Sequence, residues 1–244
     1  MTYFTFLLVF VIPPTLVFGT IAVRRPFGRI NLRRHWLGTG ILVLIALIWT
    51  TPWDNYLVAH RIWTYGSDRV VGTIWFVPIE EYVFIVLETI LIACLLALLI
   101  RPGIAGSSRW RSGQPWLRGL AFLVGIVAIG GGFLALRSDP GTYLGLILVW
   151  FAPPVLLQWL FDPLTLLRHY STVLLGTMIP ATYLTLVDSF ALGDGIWNIS
   201  PETVTGLNLG NVPLEEFVFF TVTSLLVAQG LVLWHSLPAR NQLP

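Results

Sequence analysis

The sequence predicts an all-α, polytopic membrane protein in which seven transmembrane helices form two parallel three-helix repeats joined by one linking helix. Three observations carry that prediction. The 244 residues are 56% hydrophobic and 11% charged, with a mean hydropathy of +0.80, a composition suited to lipid rather than water. Seven apolar stretches approach the roughly 20 residues a helix needs to cross the hydrocarbon. The segment Pro78-Ile79-Glu80-Glu81-Tyr82-Val83-Phe84 returns as Pro213-Leu214-Glu215-Glu216-Phe217-Val218-Phe219.

Taken in order, the spans fall at about 3–23, 36–52, 77–100, 117–136, 142–161, 171–189 and 212–234. No charge precedes the first apolar run, so it lacks the basic start of a cleavable signal peptide and is expected to be retained. The second span follows a cluster of Arg24, Arg25, Arg29, Arg33 and Arg34. The third and seventh open on the paired acids. The fourth contains Gly130-Gly131-Gly132, which suits close helix packing. All fourteen basic residues are Arg. Those after the first span, with Arg101, Arg109, Arg111 and Arg118 around the third-to-fourth connection, place these loops in the cytoplasm. The expected location is therefore the cell membrane, with the N-terminus outside and the C-terminus inside. A lone Cys94 lies in an apolar run and allows no internal disulfide.

Self-comparison sets the predicted organisation. Pro13-Pro14 answers Pro153-Pro154, His35 answers His169, Asp54 answers Asp188 and Trp63 answers Trp197. This divides the chain into a first repeat at 1–100, a linker with one span at 101–140, a second repeat at 141–235 and a tail at 236–244. Four spans separate corresponding helices, so the copies face the same way about an axis along the membrane normal.

The acids have an ordinary reading. Pro is favoured at the first helical position, and acids in the first turn complement the helix dipole. Repetition at membrane depth outweighs it, because ionisable groups there are expensive and mark function. Burial and a neighbouring carboxylate both favour a retained proton. Glu88, two helical turns beyond Glu81 on the same face, adds a third acid with no counterpart near Thr223. Glu80, Glu81 and Glu88 together suggest a Brønsted acid in an apolar pocket. Asp54 and Asp188 are expected just past spans two and six, on the same side. Trp53, Tyr56, Tyr65 and Trp75 read as an interfacial belt, whereas Trp63 and Trp197 are candidates to face a cation. His35 and His169 read as interface residues. No metal spacing, flavin or nicotinamide fingerprint is present, so neither metal nor cofactor is expected. Nothing points to nucleic acid.

The doubled Pro-x-Glu-Glu-(Tyr/Phe)-x-Phe segments, with Pro52-Trp53-Asp54-Asn55-Tyr56 and Gly195-Ile196-Trp197, resemble the lycopene cyclase domain of bacteria, archaea and fungi. That family carries two three-helix units as separate subunits or fused, and this chain looks like the fused form over about 1–100 and 141–235. The resemblance implies a non-redox isomerisation, formally an intramolecular lyase, that closes the ψ ends of lycopene into β-ionone rings through γ-carotene to β-carotene. It implies Glu80, Glu81, Glu215, Glu216, Asp54 and Asp188 as catalytic groups. Trp63, Trp197, Tyr82, Phe84, Phe217, Phe219 and Glu88 would face substrate. Expected partners are lycopene or a related linear carotenoid, the lipid bilayer and other enzymes of carotenoid biosynthesis. Relatives that form other rings or cyclise C50 carotenoids keep ring type and substrate open. The rival class is a transporter of the same helix arrangement using buried acids as a proton or cation site. A retinal protein is excluded by the absence of Lys for a Schiff base.

Overall fold

The computed structural model describes residues 1–24, 30–100 and 115–238. Arg25, Arg29, Arg101, Arg109 and Arg111, used in the positive-inside reading, lie outside the described residues, as do positions 239–244. Among the described residues, seven helices are long and apolar enough to cross a membrane: Tyr3–Arg24, Leu32–Ala59, Ile79–Leu99, Pro115–Ala135, Asp139–Phe161, Tyr170–Gly193 and Leu214–Ser236. The first is α1 (Tyr3–Phe6), a π-helical turn at Leu7–Val11 and α2 (Ile12–Arg24). Then come α3 (Leu32–Ala59), α4 (Ile79–Leu99), α5 (Pro115–Ala135), α6 (Thr142–Phe161), short α7 (Pro163–Arg168), α8 (Tyr170–Gly193) and α9 (Leu214–Ser236).

Two expectations are corrected here. The second and sixth spans run further than 36–52 and 171–189, so Asp54 and Asp188 lie inside α3 and α8 rather than past their ends. Pro52 does not stop α3, because neighbouring helices support a helix through a missing N–H in a bundle. The chain is also not purely helical. Strands β1 (Trp63–Tyr65), β2 (Thr73–Ile74), β3 (Val77–Pro78), β4 (Trp197–Ile199), β5 (Asn208–Leu209) and β6 (Val212–Pro213) occupy the connections. They were missed because two- and three-residue strands carry no readable period.

These strands position the acids. β2 and β3 form a hairpin pairing Thr73 with Pro78, and β5 and β6 do the same with Asn208 and Pro213. Pro78 and Pro213 therefore sit at the N-cap in extended conformation, one residue earlier than the first helical position expected of them. Each hairpin is pinned to the preceding long helix. Asn55 of α3 accepts from the Phe76 N–H at 3.0 Å, and Asn211 donates to the Ser189 carbonyl of α8 at 2.9 Å. The two connections meet where β1 pairs antiparallel with β4, Trp63 opposite Ile199 and Tyr65 opposite Trp197. Gly66 is needed there, since any Cβ would collide with the Gly195 carbonyl.

The most buried spans are α4, α8 and α9. α4 packs on α2, α3, α8 and α9, whereas α5 packs chiefly on α6. Outward faces carry Leu8, Leu16, Ile48, Val127 and Leu186, all exposed, as lipid-facing surfaces should be. One core cluster surrounds the acids with aromatics, including Tyr3, Trp53, Phe84, Tyr143 and Phe219. A second, aliphatic cluster at the other end includes Ile92, Leu96, Ala228 and Leu231. There the helices are tied by polar contacts. His35 is fully buried, its Nε2 donating to the Ala93 carbonyl at 3.0 Å and its Nδ1 facing His235 Nε2 at 2.9 Å. Arg34 donates to the carbonyls of Trp234 and Leu237.

Candidate active site

All four paired glutamates are buried, none more than 6% exposed. Consecutive helical residues point about 100° apart, and the two members of each pair accordingly have different surroundings. Glu80 looks back at the incoming segment, accepting from the Val71 N–H at 2.8 Å. Glu215 accepts from the Thr205 N–H at 2.7 Å. Each thus satisfies a backbone donor that would otherwise be orphaned.

Glu81 and Glu216 look inward. Glu81 Oε2 accepts from two phenols, Tyr3 at 2.8 Å and Tyr65 at 3.1 Å. Glu216 accepts from Tyr143. Burial, and next the Glu81 carboxylate, hold the Tyr65 phenol well above its ordinary range, so it stays an O–H donor. Asp188 accepts from the Trp197 indole N–H at 2.8 Å. Asp54, 1% exposed, has no partner on either oxygen, the Trp63 indole included. Glu88 accepts from the Thr223 hydroxyl at 2.7 Å, linking α4 to α9.

Two cavities meet at Glu81. The smaller, about 30 Å³, is walled by Glu81, Asp188, Glu216, Tyr3, Tyr65 and the two tryptophans Trp63 and Trp197. It is the size of one water. The larger, about 300 Å³, lies among α3, α4, α6 and α9, with Asp54, Glu81 and Glu88 as its acids and mostly apolar walls. Phe84 and Phe219 line both. The Trp53 ring stacks on Phe219 at 5.3 Å and 13°, and Trp63 stands edge-on to Trp53 at 5.6 Å. Aromatic faces of this kind stabilise a nearby cation. A low-dielectric chamber with acids on one wall and aromatic faces beside them can protonate an alkene and hold the resulting charge.

Of the residues singled out from sequence, Glu81, Glu216, Asp54, Asp188, Glu88, Trp63, Trp197, Phe84 and Phe219 converge on these two cavities. Three go elsewhere. Tyr82 donates to the Ile74 carbonyl and holds the β2–β3 hairpin. Phe217 lines a separate acid-free groove of about 520 Å³ among α5, α6 and α9. Glu80 and Glu215 bind the connections. Sequence reasoning missed Tyr3, Tyr143 and Thr223, and assigned Trp53 and Tyr65 to the belt. Tyr3 and Tyr143 each stand ten residues before the first Pro of a matched Pro-Pro pair; that register was the available signal. Tyr56 and Trp75 do lie exposed.

Comparison with known proteins follows the same line. The family model described as "Lycopene cyclase" matches residues 140–232. The chain is 38% identical over 240 residues to the lycopene beta-cyclase of Halobacterium salinarum, covering 98% of each protein. It is 35% identical over 232 residues to the bifunctional lycopene cyclase/phytoene synthase of Phaeosphaeria nodorum, covering 91% of this chain and 39% of that protein. The corresponding bifunctional protein of Aspergillus niger is 35% identical over 198 residues, covering 79% of this chain and 34% of the fungal one. No solved structure matches. With near-complete coverage at that identity, the chain belongs to the lycopene cyclase family.

Proposed function

We propose that this protein is a membrane lycopene cyclase that closes the linear ψ ends of lycopene into β rings by proton transfer alone, acting on substrate drawn from the bilayer. The observation that carries the reading is the placement of Asp54 and Glu81 on the wall of an aromatic, otherwise apolar chamber of about 300 Å³, the size of a small-molecule site. A proton added at C2 of an end group leaves a tertiary cation at C1. The C5=C6 electrons form the C1–C6 bond, moving the charge to C5, and loss of the C6 proton restores a double bond. One proton enters, one leaves and no electrons are exchanged, so the step is an isomerisation.

Asp54, which no donor reaches, is the proposed acid. Glu81, whose Oε2 receives two phenolic hydroxyls, is the proposed base, because such donors support the anion. Phe84 and Phe219 face the cation, with Trp53 stacked behind Phe219. Glu80 and Glu215 hold the connections, and Asp188, Glu216, Trp63 and Trp197 stand behind Glu81. The fold is read as two parallel three-helix repeats, 1–100 and 141–235, joined by a linker at 101–140 that contains α5; the weak engagement of α5 beyond α6 supports this. The chain is placed in the cell membrane with its N-terminus outside, beside other enzymes of carotenoid biosynthesis.

Expression in cells that accumulate lycopene, followed by pigment chromatography, tests the assignment. The bicyclic product is expected from the wild type and unchanged lycopene from Glu81→Gln and Asp54→Asn at equal membrane levels. Unchanged lycopene with the wild-type protein in the membrane would sink it.

A further inference from the structure

A twofold repeat would allow one reaction chamber per half, each taking one end of the polyene. The geometry points instead to a single chamber, bounded by α3, α4, α6 and α9 and entered sideways from lipid between α3 and α6, in which both ends are cyclised in turn. This rests on the cyclase reading above. Asp188 and Glu216, which share with Glu81 the small cavity behind it, are then positioning residues.

Space is the first observation. Asp188 and Glu216 face only the water-sized cavity of about 30 Å³, whereas Asp54, Glu81 and Glu88 face about 300 Å³. An end group fits the second and not the first. Side-chain pairing is the second. Asp188 and Glu216 each accept a hydrogen bond from an aromatic neighbour, but Asp54, 1% exposed and on the chamber wall, has no partner on either oxygen. A buried carboxyl left unpaired in a native structure is poised for something absent.

Access is the third. α3 and α6 meet through Trp49 and Trp150, whose rings are 5.3 Å apart and joined by Trp150 Nε1–H donating to the Trp49 carbonyl at 3.0 Å. Beyond that bar, Ile45 and Leu157 line the chamber and are 54% and 66% exposed. The wall is open to lipid there. On the opposite side the equivalent approach is shut. Tyr183 donates to the Phe10 carbonyl at 2.6 Å, Phe10 stacks on Phe190 at 5.5 Å, and Phe6 packs on Trp197 at 5.1 Å. α8 also packs along α9 more extensively than α3 packs along α4.

A C40 polyene is several end groups long, so its unreacted length stays in lipid while one end reacts. The protonation state of the chamber returns to its starting point through transfer from Glu81 back to Asp54, since the reaction consumes no proton. The second end then enters by the same portal.

Plugging the chamber distinguishes the arrangements. Ala46→Trp fills it from α3, and Leu157→Trp does so from an exposed position on α6 that places no burden on folding. Membrane level and melting temperature in detergent are measured beside initial rates on lycopene and, separately, on γ-carotene. One chamber predicts a roughly 100-fold loss on both substrates, the scale of removing acid–base catalysis. Two chambers leave about half the lycopene rate, and that result from a folded Leu157→Trp protein would overturn the proposal. Glu216→Gln is expected to keep the bicyclic product, with the pH–rate profile displaced and KM unchanged. Inactivation of Glu216→Gln to the level of Glu81→Gln would likewise overturn it. Wild type that fails to convert either substrate would overturn the cyclase reading itself.

Discussion

The Asp54 side and the Asp188 side began from nearly the same residues and ended in different states. Each has a buried Asp on a long helix, a Trp nine positions later, and a Pro-x-Glu-Glu turn behind a short hairpin. On the Asp188 side every inward acid has an aromatic donor: Trp197 for Asp188, Tyr143 for Glu216. On the Asp54 side both oxygens of Asp54 are unpartnered, the Trp63 indole being turned to Tyr143, Glu81 takes two phenols, and an extra acid, Glu88, meets Thr223 at the position where the other half has no acid. Matched motifs thus specify where acids stand. Their neighbours decide whether those acids are spent on structure or left free for chemistry.

The largest contrast is expected from Glu81→Gln against Glu216→Gln. Acid–base catalysis contributes on the order of 100- to 10,000-fold, so Glu81→Gln should lower the cyclisation rate by at least about 100-fold and Glu216→Gln by about tenfold or less. Initial rates at matched protein level check this, and equal losses would erase the distinction. Stability should follow the opposite order at the aromatic donors. Removing the Tyr143 hydroxyl with Phe leaves a buried acceptor unsatisfied, at a cost of about 1–3 kcal/mol. Tyr65→Phe leaves Glu81 its bond from Tyr3, so its melting temperature should fall less while its rate falls more. Trp197→Phe deprives Asp188 of its donor and should likewise cost about 1–3 kcal/mol; Trp63→Phe takes no donor from Asp54 and should cost less. A larger loss for Trp63→Phe would mean that the two sides are equivalent after all.

The smallest effect is expected at the rim. The amino terminus donates to Asp194, and with Arg69 holds that carboxyl below its ordinary range. A depressed carboxyl contributes stability that is complete above its unfolded value of about 3.9 and is lost as pH falls through the lowered one. Because the contact is exposed, Asp194→Asn should shift melting only slightly, with the difference between variant and wild type vanishing in acid. A difference that persists there would assign the effect to something other than this ion pair.

Much of this was legible in sequence because membrane-spanning segments declare themselves by length and composition. The seven spans were placed within a few residues except at the ends of α3 and α8. Those ends failed for one reason: Asp54 and Asp188 look like helix termini to a hydropathy count, and only tertiary burial allows a helix to carry an acid inward. The acid pairs were legible through repetition. The division of labour inside each pair was not, because it depends on which way successive side chains turn relative to the preceding loop. Tyr3 and Tyr143 were invisible as donors because a lone Tyr near a span end matches the aromatic belt. The portal was invisible because nothing in a linear pattern reports how far apart two helices stand.

On the proposed reading, the adjacency of Glu80 to Glu81 separates a mechanical duty from a chemical one by a single peptide bond. A glutamine keeps an oxygen that can accept from the Val71 N–H but gives up the dissociable proton. Conservative exchange should therefore be nearly silent at Glu80 and costly at Glu81, whereas alanine should be harmful at both. Amide-for-acid tolerance thus becomes a way to sort fasteners from proton carriers along this chain. It also explains why the doublet cannot be shortened: deleting either residue rotates the survivor by about 100° and hands it the other's task.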